Sequence, residues 1–136
     1  MTARDDFLAE AHVAIIGTVD SKNRPHATPI WYLYDGAEFR FSIGRGSQKH
    51  RNLEANPEMS LVVDQRTMPY YAVMMRGAAA FGPPLSDEDH LKLAVRYLGE
   101  EVGRRYTEAT KGGDVLTVHF RPRKTIEYDP LGSRRG

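Results

Sequence analysis

Apolar residues in this chain gather in short alternating or β-branched runs closed off by Gly, Pro, Asn or Asp, and a few segments space them as a helix does. Residues 3–11 put Phe7, Leu8 and Ala11 on one face and Arg4, Asp5 and Asp6 outward, which predicts a short amphipathic helix. Val13–Val19 is β-branched and nearly continuous, the texture of a strand covered on both faces. Asp20–Pro25 is turn chemistry. His26–Tyr34 is the next strand, and its Pro29 calls for a sheet edge or a bulge. Asp35-Gly36 signals a hairpin into the alternating Glu38–Ile43, so the first strands read as a meander. Gly44 and Gly46 loosen the backbone, Ser47 is a good N-cap, and a short helix runs to the stop at Asn56-Pro57.

Met59–Asp64 and the long Tyr70–Phe81 are further strands, the latter with a run of small residues that suggests close backbone packing. Ser86-Asp87-Glu88-Asp89 caps a helix bearing Leu91, Leu93, Ala94, Tyr97 and Leu98, and a second helix is expected from Tyr106 to Gly112. Asp114–Arg121 and Lys124–Asp129 are the last strands. Antiparallel runs with few helices predict one domain over residues 1–136, mostly β with flanking helices, folded as a small closed or nearly closed barrel.

Composition narrows the chemistry. A formal charge of +1 gives no field for nucleic acid or a membrane surface, although Lys49–Arg51, Arg121–Lys124 and Arg134–Arg135 are locally basic. Without cysteine there is no disulfide, thiolate metal site or Cys nucleophile. No apolar run approaches the roughly 20 residues needed to span a bilayer, and acidic residues interrupt the N-terminus where a signal peptide would be apolar, so a cytoplasmic protein is expected. His12, His26, His50, His90 and His119 make no metal-ligand spacing, and no GxGxxG, Walker or GxSxG motif occurs.

The start of the short helix after Ser47 stands out. Lys49, His50 and Arg51 place positive charge at the positive end of a helix dipole, which costs about 0.3–1 kcal/mol per cation. A bound anion would reverse the sign, because free backbone N–H groups and both cations would point at it. The other reading is a solvated basic turn.

In order along the chain stand Gly17-Thr18-Val19, Arg24-Pro25-His26, Pro29-Ile30-Trp31-Tyr32, Lys49-x-Arg51-Asn52-Leu53 and Asn56-Pro57. Together they resemble the split β-barrel flavin and deazaflavin oxidoreductases that include pyridoxamine 5'-phosphate oxidase, nearest to the small branch that uses the deazaflavin coenzyme F420. The resemblance runs from about Phe7 to Tyr128. It implies a split β-barrel homodimer with cofactor sites at the subunit contact, the apolar run Ala72–Phe81 lying there. It also implies cofactor F420, with FMN as the alternative, and hydride transfer to a small-molecule substrate. Lys49 and Arg51 would hold the cofactor phosphate with Ser47 and Asn52 beside them. Thr28, Pro29, Ile30 and Trp31 would run along the ring, and Ser42, Ile43 and Gly44 would flank it. The tail from Arg121 to Gly132 lacks the Trp and His of true pyridoxamine-phosphate oxidases, which argues against vitamin B6 oxidation.

No residue is required as a nucleophile, so catalysis is expected to be positional, with a hydroxyl such as Tyr70 or Tyr71 as a donor to the acceptor oxygen. Lys22, Arg24 and Arg45 are candidates for the acidic tail of the deazaflavin. A cofactor carrier without a pocket beside the ring, and a haem-binding relative using His26, His50 or His119, are the competing expectations.

Overall fold

The computed structural model describes residues 2–134; Arg135 of the C-terminal basic pair lies outside them. The order is α1 (Ala3–Leu8), β1 (Ala14–Val19), β2 (Pro25–Ile30), β3 (Leu33–Tyr34), β4 (Phe39–Gly44), α2 (Gln48–Ala55), β5 (Glu58–Gln65), β6 (Tyr71–Gly82), α3 (Asp87–Leu98), α4 (Glu100–Thr110), β7 (Val115–Phe120) and β8 (Lys124–Tyr128). Antiparallel pairing gives the strand order β2-β1-β5-β6-β7-β4-β3, with β8 added beside β6. The sheet curls into a split β-barrel with helices on its flanks, as the sequence predicts.

The inner face carries Ile16, Phe39, Phe41, Leu61, Val63, Val73, Val118 and Phe120, all buried, and Phe7 of α1 plugs one end. Each such side chain contributes about 1.5–3 kcal/mol of transfer free energy, most of it offset by chain entropy. β1 is not covered on both faces. Ala14, Ile16 and Thr18 are buried while Ile15, Gly17 and Val19 are half-buried, because a split barrel gives each strand one inner side. The β-branched run reflects strand propensity rather than two-sided burial.

β6 joins the two halves of the barrel. Residues 71–78 pair with β5, and residues 79–82 pair with β7. The small residues sit at this change of partner: a Cβ at Gly77 would meet the Arg121 carbonyl at 2.9 Å and the Phe120 ring at 3.0 Å.

The predicted strand His26–Tyr34 is in fact two. β2 pairs only with β1, so Pro29 does sit on an edge strand; β3 pairs with β4 at the other end of the order. The meander is therefore broken at Trp31-Tyr32, where the chain crosses from one half to the other. The Tyr32 N–H leaves the ladder and donates to the Tyr97 hydroxyl at 3.2 Å, which itself donates to the His12 carbonyl at 2.7 Å. Tyr32, fully buried, donates its own hydroxyl to the Leu8 carbonyl at 2.8 Å.

Helix ends also differ from expectation. α1 stops at Leu8 and Ala11 is exposed; Arg96 donates to the Ala9 carbonyl at 2.7 Å just past that end. α4 begins at Glu100 rather than near Tyr106, directly behind Gly99, whose φ of 85° turns the chain out of α3. Among the described residues no helix is long and apolar enough to cross a membrane.

Candidate functional site

α2 is fixed against the β1–β2 hairpin by its polar residues. The Ser47 hydroxyl accepts from the His50 N–H at 3.3 Å, starting the helix. Asn52 is buried; its Nδ2 donates to Thr18 Oγ1 at 3.0 Å, and its Oδ1 accepts from Gln48 at 2.6 Å. Both functional ends of Asn52 are thus occupied in bolting the helix to β1. Lys49, half-buried, extends toward β2 and donates to Thr28 Oγ1 at 3.2 Å, with further ammonium hydrogens to spare. Arg51 is exposed and turned back on its own turn, donating to the Gly46 carbonyl at 2.5 Å and to Gln48 Oε1 at 2.7 Å.

Beside Lys49 lies a groove of about 220 Å³, lined by Pro29, Ile30 and Trp31 of the crossing strand, by Ser42 of β4 and by Lys49 itself. Three stretches singled out in the sequence therefore converge. A second space of about 250 Å³, bounded by Val13, Pro29, Ile30, Trp31 and Tyr106, adjoins it. Of the other predicted residues, Thr28 reaches the groove only through Lys49, while Gly44 and Ser47 frame the turn before α2. Ile43 faces the core at 3% exposure, because it shares the inner side of β4 with Phe39 and Phe41.

The far wall is the α3–α4 hairpin, which supplies His90, Leu93, Ala94 and Tyr106. Trp31 stacks on Tyr97 with ring centroids 5.0 Å apart and lies 5.6 Å from Tyr106. Sequence reading missed this wall. The available signal was the spacing of His90, Leu93, Ala94 and Tyr97, which share one helical face. Tyr70 and Tyr71, expected as donors, lie elsewhere. Tyr70 borders a separate hollow with Asp64 and Tyr128, and Tyr71 is buried with its hydroxyl given to Glu127.

At the β1–β2 turn the nearly buried Asp20 carboxylate accepts the N–H groups of Lys22 at 2.8 Å and Arg24 at 3.0 Å, and pairs with Arg24 Nε at 2.8 Å and His26 Nε2 at 3.0 Å. The His26 contact above all, then the Arg24 amide, hold the Asp20 carboxyl far below the usual carboxylate range. Arg24 and Arg45 are exposed and each has a carboxylate partner, the buried Asp20 for Arg24 and the exposed Asp114 for Arg45; the Arg45 pair is one that a stronger anion could displace. A larger hollow of about 780 Å³ opens on the outer side of the sheet beside Gly17, His26, Ser60 and Arg76; none of the residues predicted for the flavin or deazaflavin lines it, while His26 of the haem alternative does. Among the described residues no cluster of acidic residues and histidines is arranged to hold a metal ion.

The sequence matches the model of the pyridoxamine 5'-phosphate oxidase family over residues 2–128. A curated pyridoxine/pyridoxamine 5'-phosphate oxidase of Anaplasma phagocytophilum is 37% identical over 73 residues, which is 53% of this chain and 35% of that protein. The match thus spans about a third of that relative's length. A solved F420 reductase superposes with a TM-score of 0.75 at 26% identity, covering 90% of this chain and 94% of the other. A conserved hypothetical protein of Mycobacterium tuberculosis superposes with a TM-score of 0.76 at 22% identity, covering 93% and 82%, a likeness of fold.

Proposed function

The chain belongs to the pyridoxamine 5'-phosphate oxidase family, and from that premise we propose that it is an oxidoreductase using coenzyme F420, with FMN as the alternative. The observation that carries this reading is the convergence of Pro29, Ile30, Trp31, Ser42 and Lys49 on one groove at the start of α2. The likeness to a solved F420 reductase supports the deazaflavin over FMN. Vitamin B6 oxidation is not proposed, because the segment Arg121–Gly132 has neither Trp nor His.

The residues present suit such a cofactor. Lys49, the Ser47 hydroxyl and the free N–H groups of the first α2 turn form an anion cradle of the kind a phosphate takes. Pro29, Ile30 and Trp31 give an apolar wall for a ring, and Tyr106, 5.6 Å from Trp31, extends it. When bound, the cofactor would supply the hydride. The protein's part is to position and to exclude water. The adjoining space beside Trp31 and Tyr106 gives a small acceptor somewhere to lie, which favours an enzyme over a carrier. Lys49, Ser42 and the Tyr106 hydroxyl are among the groove's hydrogen donors for charge that builds on an acceptor oxygen. Quinones and enones are the acceptor classes proposed. The working unit is proposed to be a homodimer.

Anaerobic mixing with reduced coenzyme F420 and a series of quinones and enones tests the reading. Oxidation of the coenzyme by at least one acceptor is expected, with Lys49→Ala needing a higher coenzyme concentration to reach the same rate. A protein that binds the coenzyme but oxidises it with none of them is a carrier.

A further inference from the structure

His90 takes part in a short relay that fixes its chemistry. The Thr110 hydroxyl has a single hydrogen, and it donates that hydrogen to the Tyr106 carbonyl at 2.8 Å, one turn back along α4. The same oxygen lies 2.8 Å from His90 Nε2 and can only accept there. Nε2 must therefore carry a hydrogen. In the neutral ring this leaves Nδ1 as a bare acceptor. The ring is further held by a stacked contact with Tyr106, centroids 6.4 Å apart. His90 lines the groove together with Lys49, Ser42, Trp31 and Tyr106.

The other polar groups there behave differently. Lys49 and the Trp31 indole can only donate, and the Ser42 and Tyr106 hydroxyls rotate to suit either role. We propose that His90 is the groove's fixed hydrogen-bond acceptor, so that the ligand edge lying against α3 must carry an N–H or O–H donor. An imide or lactam N–H on a flat heteroaromatic ring is the class that suits an aromatic wall and a fixed acceptor together. A ring with only carbonyl or alkylated nitrogen at that edge would set lone pairs or a methyl group against Nδ1 and leave a partly buried acceptor unpaired, a loss of about tenfold or more in affinity. The assignment rests on the groove being the ligand site proposed above.

Nitrogen-15 NMR of the full chain labelled at histidine, with binding followed through Trp31 fluorescence, tests it. The free protein is expected to show neutral His90 as the Nε2–H form. FMN or coenzyme F420, whichever binds more tightly, should shift Nδ1 toward a hydrogen-bonded position. The N3-methyl derivative of that ligand should bind about tenfold more weakly and leave Nδ1 unmoved. Thr110→Val, at the half-buried end of α4, should mix the two ring forms and shrink the discrimination between parent and methylated ligand. A predominantly Nδ1–H ring in the wild type, or equal affinity for parent and methylated ligand, overturns the assignment. Failure of both cofactors to bind overturns the proposed function and the ligand half of this assignment with it, and is distinct from the case where both parent and methylated ligand bind alike.

Discussion

Lys49 and Arg51 carry the same charge two residues apart, yet they stand in different surroundings. Lys49 is half-buried and faces the groove, whereas Arg51 is exposed and already bonded to Gly46 and Gln48. Lys49→Ala should weaken coenzyme binding by about 1.5–3 kcal/mol, the range for a charge-assisted hydrogen bond. Arg51→Ala should cost under about 1 kcal/mol, as exposed charges do. Calorimetric titration of both variants checks the order. Asp20 offers a separate prediction in pH. Its folded carboxyl is held far below the ordinary Asp value of about 3.9, so its contribution is fully present above that value and is lost as pH falls toward the folded one. Asp20→Asn should lower the melting temperature at neutral pH, and the gap to wild type should close in acid; a gap that stays constant down to the acid limit would show that the charge is not what matters. Lys49 could be singled out in the sequence because a cation at a helix start is locally anomalous. His90 could not, since nothing within its own helix distinguishes it from an ordinary core-facing histidine until α4 brings Thr110 beside it.

At the scale of elements, the groove depends on how closely α3 and α4 pack. Gly103 makes that possible: a Cβ there would lie 2.8 Å from both the Cα and the N of Val95, backbone atoms that cannot swing away. Gly103→Ala gains about 0.5–1 kcal/mol of helix propensity. The clash costs about 1–3 kcal/mol, so the variant should be less stable overall. It should also push Tyr106 from Trp31 and loosen ligand binding. Thermal melts and Trp31 fluorescence read the two effects, and an unchanged or raised melting temperature would show that the hairpin has slack. Most strands were legible from their alternation and their turn residues. The break at Trp31-Tyr32 was not, because Trp, Tyr and Leu continue a perfectly good strand pattern. What interrupts it is the distant Tyr97 hydroxyl, which takes the Tyr32 N–H out of the ladder. The start of α4 was missed for a related reason: Gly99 reads as an ending, and here it serves both helices.

For the whole molecule, the barrel leaves one side of its sheet facing outward. Register places Pro29, Ile15, Val62, Met74 and Ile126 in one apolar row across β2, β1, β5, β6 and β8. Met74 is 37% and Ile126 47% exposed, so the row is open to a partner. The proposed homodimer would use this face, which includes the outward residues of Ala72–Phe81. Light scattering should give a dimer at micromolar concentration, and Met74→Lys should shift it toward monomer; a wild-type monomer would exclude the face as a stable interface. The split-barrel architecture was readable from the chain as a whole. The pairing order was not, because the length of β6 does not say where along it the partner changes.

The most direct test is a calorimetric titration of the wild type and Lys49→Ala with coenzyme F420 and with FMN, read in parallel through the fluorescence of Trp31, the only tryptophan. Tighter binding of F420 than FMN, quenching of Trp31 by both, and a loss of about 1.5–3 kcal/mol in Lys49→Ala are expected. Binding that leaves Trp31 unquenched and is indifferent to Lys49 would place the cofactor elsewhere and contradict the assignment of the groove.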